Sequence, residues 1–230
     1  MTSVAPSDEL RLAVFDCDGT LVDSQHAIVA AVTIAWREEG LDEPDPDNIR
    51  RTIGLPLEQC IARIAPDLSP ERHATLVDRY RDAAHRIYAD DSNHAPLFPG
   101  VMEVLDALAE VGVLLGVATG KGTRGLTAVL ENHALNGRFV TLQTADTARG
   151  KPHPEMLLQA MAESGVQPAQ TMMVGDTVFD IEMARNAGVG AIGVSWGYHD
   201  VSELVEAGAE VIIESFSELP LHFDTHTTTR

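Results

Sequence analysis

The stretch Leu10-Arg-Leu-Ala-Val-Phe-Asp-Cys-Asp-Gly-Thr20 decides how the rest of the chain is read. An apolar run, Leu10–Phe15, ends abruptly in Asp16 and Asp18 followed by the turn formers Gly19 and Thr20. That is the pattern of a buried strand delivering two carboxylates to its carboxyl end. Downstream, from Ser24 to Asp91, no strand pattern follows. Helical periodicity predicts Ser24–Glu39, Asp47–Thr52, Leu57–Ile64 and Ser69–Tyr88, punctuated by Pro44, Pro46, Pro56, Pro66 and Pro70.

After Pro99-Gly100 the pattern becomes a strict alternation. Helices are predicted at Val101–Val111, Arg124–His133, Glu155–Gly165, Phe179–Ala187 and Val201–Ala207. Strands are predicted at Val113–Ala118, Phe139–Leu142, Thr171–Val174, Ala191–Val194 and Val211–Ile213. Repeated βα units with continuous apolar strands imply an α/β fold: a Rossmann-like parallel sheet with helices on both faces. The expected division is an α/β core from residues 1–22 and 95–230, interrupted by an all-helical cap at 23–94. An insertion after the first strand is placed to cover the carboxyl edge of the sheet, where open α/β sheets bind ligands.

Composition narrows the partners. The chain has 35 acidic and 16 basic residues, a formal charge of −19, and a mean hydropathy of −0.03. Such a surface repels nucleic acid and anionic lipid, and neither is expected as a partner. No apolar run is long enough to span a bilayer and the first residues lack a signal-peptide pattern, so a cytoplasmic protein is expected. The sequence leaves the choice between monomer and homodimer open. Cys17 and Cys60 show neither metal-ligand nor disulfide spacing and are read as packing residues.

Four segments carry chemistry: Asp16-Cys-Asp-Gly-Thr20, Ala118-Thr-Gly-Lys121, Lys151-Pro-His-Pro-Glu155 and Gly175-Asp-Thr-Val-Phe-Asp180. Three follow predicted strands, and the Lys151 segment follows the loop after a fourth. Parallel strands end on one edge, so these distant segments converge. Asp16, Asp18, Asp176 and Asp180 would then crowd together, which is costly unless a cation neutralises them. Oxygen-only ligands point to Mg²⁺. Thr119 offers a hydroxyl, Gly120 a backbone N–H that can approach a phosphoryl oxygen closely, and Lys151 a cation, as phosphoryl transfer demands.

Together these segments resemble the haloacid dehalogenase-like hydrolase superfamily, in its phosphoglycolate phosphatase-like branch with a helical cap. The resemblance runs from about Leu10 to Ser217. It implies Asp16 as nucleophile through an aspartyl-phosphate and Asp18 as general acid and base. It further implies metal ligation by the Asp16 carboxylate, the Asp18 main-chain carbonyl and Asp176, with Asp180 orienting the metal site. Thr119 and Lys151 match the family's phosphate-binding threonine and its lysine. Gly120 departs from relatives that carry Asn or Ser there, and Asp18 separates the chain from the dehalogenases. The implied activity is hydrolysis of a small organic phosphate ester, with 2-phosphoglycolate the best single expectation. A sugar phosphomutase, a pyrophosphatase and a non-catalytic binding module are the alternatives. The last would be expected to have lost the nucleophile, Lys151 or the metal ligands.

Other motifs carry less. Gly116-Val-Ala-Thr-Gly-Lys-Gly122 has three residues rather than four between its first two glycines, and Gly122 stands where a P-loop needs Ser or Thr. His153 reads as a loop histidine. In the cap, Arg50-Arg-Thr-Ile-Gly-Leu-Pro-Leu57 is the candidate substrate-facing loop, with Arg50, Arg51 and Gly54 as candidate specificity residues. Asp23-Ser24 and Asn93–Pro99 are the expected linkers and hinge.

Overall fold

A computed structural model describes residues 10–88 and 95–223. Strand β1 (Arg11–Phe15) is followed by helices α1 (Gln25–Glu38), α2 (Pro46–Arg50), α3 (Leu57–Ile64) and α4 (Pro70–Tyr88). Then come α5 (Val101–Glu110), β2 (Val113–Ala118), α6 (Thr123–Asn132), β3 (Thr141–Gln143), α7 (Glu155–Ser164), β4 (Thr171–Gly175), α8 (Val178–Ala187), β5 (Gly190–Val194), α9 (Val201–Ala207) and β6 (Val211–Ile213). The six strands form one parallel sheet in the order β3-β2-β1-β4-β5-β6. That is the doubly wound order, whose switch point lies beside β1.

Alternation along β1 sorts the core into two layers. Ala13 and Phe15 join Leu105 and Leu108 of α5 and Leu126 of α6 on one face. Leu12 and Val14 join Met156 and Leu157 of α7 and Ile181 of α8 on the other. A third cluster is built wholly within α1–α4, from Val32, Ala35, Trp36, Ile49, Ile61, Leu76 and Val77. The helical segment therefore has its own hydrophobic interior. Its arginines are tied to acidic neighbours, as in Arg79–Glu39 at 2.8 Å and Arg86–Glu38 at 2.7 Å.

The two chain passages joining this segment to the sheet lie side by side. Val22 bridges Leu97 in antiparallel fashion, and the Asp23 N–H donates to the Pro96 carbonyl at 2.9 Å. Of the expected linker Asn93–Pro99, Asn93 and His94 lie outside the described residues.

Two local expectations shift. Helix α2 starts at Pro46, because Pro46 occupies its first turn and the Asp45 side chain accepts from the Asp47 N–H at 2.9 Å. The strand expected at Phe139–Leu142 forms instead at Thr141–Gln143. Phe139 and Val140 carry the apolar signal, but the ladder begins two residues later, where the buried Gln143 and Thr141 side chains satisfy each other and Glu163.

The separate interior of the helical segment sets the first test. Leu76 is fully buried there, whereas Val111 is 48% exposed. Leu76→Ala should cost about 2–5 kcal/mol and Val111→Ala less than about 0.5 kcal/mol, measured by urea unfolding.

Candidate active site

Register places the chemistry. Phe15 pairs with Val117 of β2 and Val174 of β4, so Asp16 emerges at one edge with Thr119 and Asp176 one residue beyond its level on the flanking strands. The ladder carries on past the strand, with the Asp16 N–H donating to the Val174 carbonyl at 2.9 Å. Asp16, Asp176 and Asp180 can each bring a carboxylate oxygen within 4.8 Å of the others, and all three are buried. Lys151 is also fully buried, with its Nζ 2.7 Å from Asp16 Oδ1 and 2.6 Å from Asp180 Oδ1.

The cluster is unbalanced: three buried acids face one lysine. Burial pushes the Asp16 carboxyl up to about 7, opposed by the Lys151 charge and reinforced by Asp180. Burial, followed by the Asp16 and Asp180 charges, holds Asp176 well above the carboxylate range. Burial alone would lower Lys151, but Asp16 and Asp180 outweigh it and hold the ammonium above its ordinary value. Apart from the Lys151 charge, neither Asp16 oxygen meets a hydrogen-bond donor among the described residues, nor does Asp180 Oδ1. Three crowded acids, two of them with orphaned oxygens, and one compensating cation suit a hard, oxygen-seeking divalent ion.

Each acid is held in place by its own loop. Asp176 accepts from the Thr20 hydroxyl at 2.9 Å and the Tyr198 N–H at 3.0 Å. Gly19 leaves the space for it: at φ +92° a Cβ there would lie 2.3 Å from Asp176 Oδ2. Asp180 closes a capping box at the start of α8, accepting from the Thr177 N–H at 3.0 Å and hydroxyl at 2.7 Å. Its other oxygen is thereby left for Lys151.

Asp18 faces the opposite way, towards the helical segment. Its Oδ1 accepts from Ser24 Oγ and lies 2.7 Å from Lys121 Nζ. Burial works against the Lys121 charge, yet Asp18 holds that ammonium well above its ordinary value. Thr119 is buried, and its Oγ1 accepts the Lys121 N–H at 3.1 Å, which leaves the hydroxyl proton to be donated elsewhere. A Cβ on Gly120 would sit 2.5 Å from the Leu55 carbonyl oxygen, so the absent side chain is what lets the 54–55 turn rest on this edge. Arg63 of α3 also covers the Phe179 ring at 5.0 Å.

The structure brings Asp16, Asp176, Asp180 and Lys151 together, with Asp18, Thr119 and Gly120 bordering them. Gly54 joins Asp18 and Gly120 on the wall of a cavity of about 940 Å³. Arg50 and Arg51 are not on that wall. Arg50 is occupied by Gln25 at 3.0 Å and Asp47 at 2.5 Å, and Arg51 reaches out to Glu203 at 2.9 Å. His153 accepts the Glu155 N–H at 3.2 Å as a loop residue. Sequence reasoning missed Lys121, Ser24, Thr20 and Tyr198. A signal for Lys121 existed: the chain has only two lysines, Lys121 and Lys151, and both lie here.

Comparison with known proteins agrees with this geometry. The family described as haloacid dehalogenase-like hydrolase matches residues 13–194. The chain belongs to that family. It is 42% identical over 210 residues to "Probable phosphatase IndB" of Dickeya dadantii, covering 90% of this chain and 91% of that one. It is 39% identical to a phosphoglycolate phosphatase of Caulobacter vibrioides, covering 90% and 87%. A haloacid dehalogenase-like family hydrolase of Streptococcus pneumoniae superimposes with a TM-score of 0.81 at 28% identity, covering 94% and 99%. The chain is thus a hydrolase of the phosphatase kind. No helix among the described residues is long and apolar enough to cross a membrane.

The charge imbalance is testable without turnover. Mg²⁺ at about 100-fold over its Kd should stabilise the protein by about 2.7 kcal/mol, a Tm rise of about 5–10 °C. Asp176→Asn should leave the protein folded in EDTA, by putting a neutral amide where burial already disfavours the carboxylate, and abolish the Mg²⁺ response. A variant that still responds would count against an ion in this cluster.

Proposed function

We propose that the chain is a Mg²⁺-dependent phosphomonoesterase that hydrolyses a small organic phosphate through phosphoryl transfer to Asp16. The observation that carries this reading is the buried Lys151, shared between Asp16 and Asp180 within a surplus of carboxylate. Asp16 and Asp176, with the Asp18 main-chain carbonyl, would hold the ion, and Asp180 would orient that site. Bound Mg²⁺ would offset the carboxylates and draw charge from the transferring phosphoryl oxygens.

The side chains divide the remaining work. An Asp16 oxygen attacks phosphorus, the ester P–O bond breaks, and its electron pair leaves on the alcohol oxygen. Asp18 supplies the proton for that oxygen. Its contacts among the described residues both fall on Oδ1, which leaves Oδ2 without a partner there. Asp18 then takes a proton from the water that attacks the phosphoryl-aspartate, releasing phosphate and restoring Asp16. The Thr119 hydroxyl and the Gly120 N–H donate to phosphoryl oxygens, and Lys151 balances charge on the nucleophile side.

Residues 23–94 act as a cap in this reading, hinged at Asp23-Ser24 and the facing 95–99 passage. Closure excludes bulk water and strengthens every charge interaction inside. The relatives named phosphoglycolate phosphatase support 2-phosphoglycolate as the first ester to assay.

Phosphate release should require Mg²⁺, stop with EDTA and return when Mg²⁺ is restored. Asp16→Asn should lower kcat by at least about 10³-fold and Thr119→Ala by about 10²-fold. Rapid acid quench with labelled ester should trap label on wild type and none on Asp16→Asn. An Asp16→Asn enzyme with full activity would overturn the assignment.

A further inference from the structure

The cavity beside the proposed phosphoryl site is far larger than a two-carbon acid requires. Its volume of about 940 Å³ lies near the upper end for sites that bury drug-sized ligands. It opens at Asp18, Gly120 and Lys121, then follows α6 as far as Asn132 and His133. At the helical rise, the distance from Lys121 to Asn132 is about 16 Å.

The walls are unlike those that hold a small dianion. The helical segment lines the cavity with the partly exposed Ile28, Leu57, Ile64 and Tyr80. The opposite wall is kept low where α6 presents Gly125 and Ala128. Gly125 is not needed for packing: a Cβ there would meet only the Lys121 stem, at 3.8 Å, and its φ lies outside the left-handed region. Glycine weakens the helix at that position, and what it leaves in return is open space beside Lys121.

Charge points the same way. The carboxylate of a small acid buried in this cavity would need a cation. Lys121 is spent on Asp18, and Arg81 on Glu58 at 2.9 Å. Arg124, exposed at the rim, has no hydrogen-bond, ion-pair or ring partner among the described residues. A polar end of a ligand has a cation there, while Lys121 and Arg81 are already paired.

We infer that the ester taken by this site is the phosphate of a bulky, largely apolar alcohol of about six to twelve carbon atoms, lying along α6 with any polar end towards Arg124. This rests on the phosphomonoesterase reading and narrows its substrate class away from 2-phosphoglycolate.

The test is a series of primary alkyl phosphates of closely matched leaving-group acidity: ethyl, butyl, hexyl and 2-(naphthyl)ethyl phosphate, with 2-phosphoglycolate alongside. The full-length chain is assayed with Mg²⁺ for kcat/KM. Burial allows up to about fourfold per methylene, so kcat/KM should rise at least tenfold from ethyl to hexyl phosphate and exceed that for 2-phosphoglycolate. Gly125→Leu and Ala128→Trp, each with wild-type Tm, should lower the hexyl-to-ethyl ratio at least tenfold. A flat or falling series, or 2-phosphoglycolate as the best substrate, overturns the inference and leaves the phosphatase reading standing. An unchanged ratio in both variants also overturns it. No phosphate release from any ester, with no label trapped on Asp16, defeats both readings.

Discussion

A single buried ammonium holds this site together. Lys151 is fully inaccessible and lies within 2.7 Å of Asp16 and 2.6 Å of Asp180. Removing a charge from water is expensive, and one lysine cannot neutralise three acids. The fold tolerates the remainder because two of the acids have local support: hydrogen bonds from Thr20 and Tyr198 for Asp176, and the α8 capping box for Asp180. Hydrophobic layers on both faces of the sheet supply the stability that this cluster withholds. A site strained by like charge is one that gains by binding a cation and a phosphoryl group shielded by it.

The parallel sheet is what makes such crowding possible. Strands β1 and β4 are neighbours at the switch point, and their matched register brings residues 160 apart in sequence, Asp16 and Asp176, to one edge. Gly19 then allows the first loop to fold back against Asp176. On the other side of Asp16 the requirement is reversed. Gly120 gives the helical segment a backbone seat at Leu55, so that segment is positioned by close contact as well as by charge. A contact of that kind is insensitive to salt, whereas the ion pair between Arg51 and Glu203 is exposed and contributes little.

What was legible in the sequence follows the same physics. Strand ends could be read because an apolar run that stops at an acid, as at Asp16 and Asp176, fits the exit of a buried strand and little else, and the Thr119 and Lys151 segments add to the constraint. The parallel sheet was implied by the alternation of elements. Side-chain direction within the helical segment was not readable. Arg50 and Arg51 sit beside the Gly-Leu-Pro turn in sequence, but the seating of α2 turns them towards Gln25, Asp47 and Glu203. Strand β3 lies later than its apolar signal because hydropathy cannot see that Thr141 and Gln143 are buried by satisfying Glu163 and each other. Ser24 and Lys121 escaped notice because their partner, Asp18, is reached only after the chain folds back on itself.

The overall charge of −19 puts these local arrangements under one further constraint. The long-range field opposes the approach of any anion, so binding must be won at short range. A small acid such as 2-phosphoglycolate carries a carboxylate charge on top of its phosphate and offers little apolar surface in return. A phosphate on an apolar alcohol carries less charge per unit of buried area, and the aliphatic wall of α1–α4 can offset its desolvation directly. In the substrate class inferred above, the attraction lies in an uncharged leaving group, which the acidic surface does not oppose.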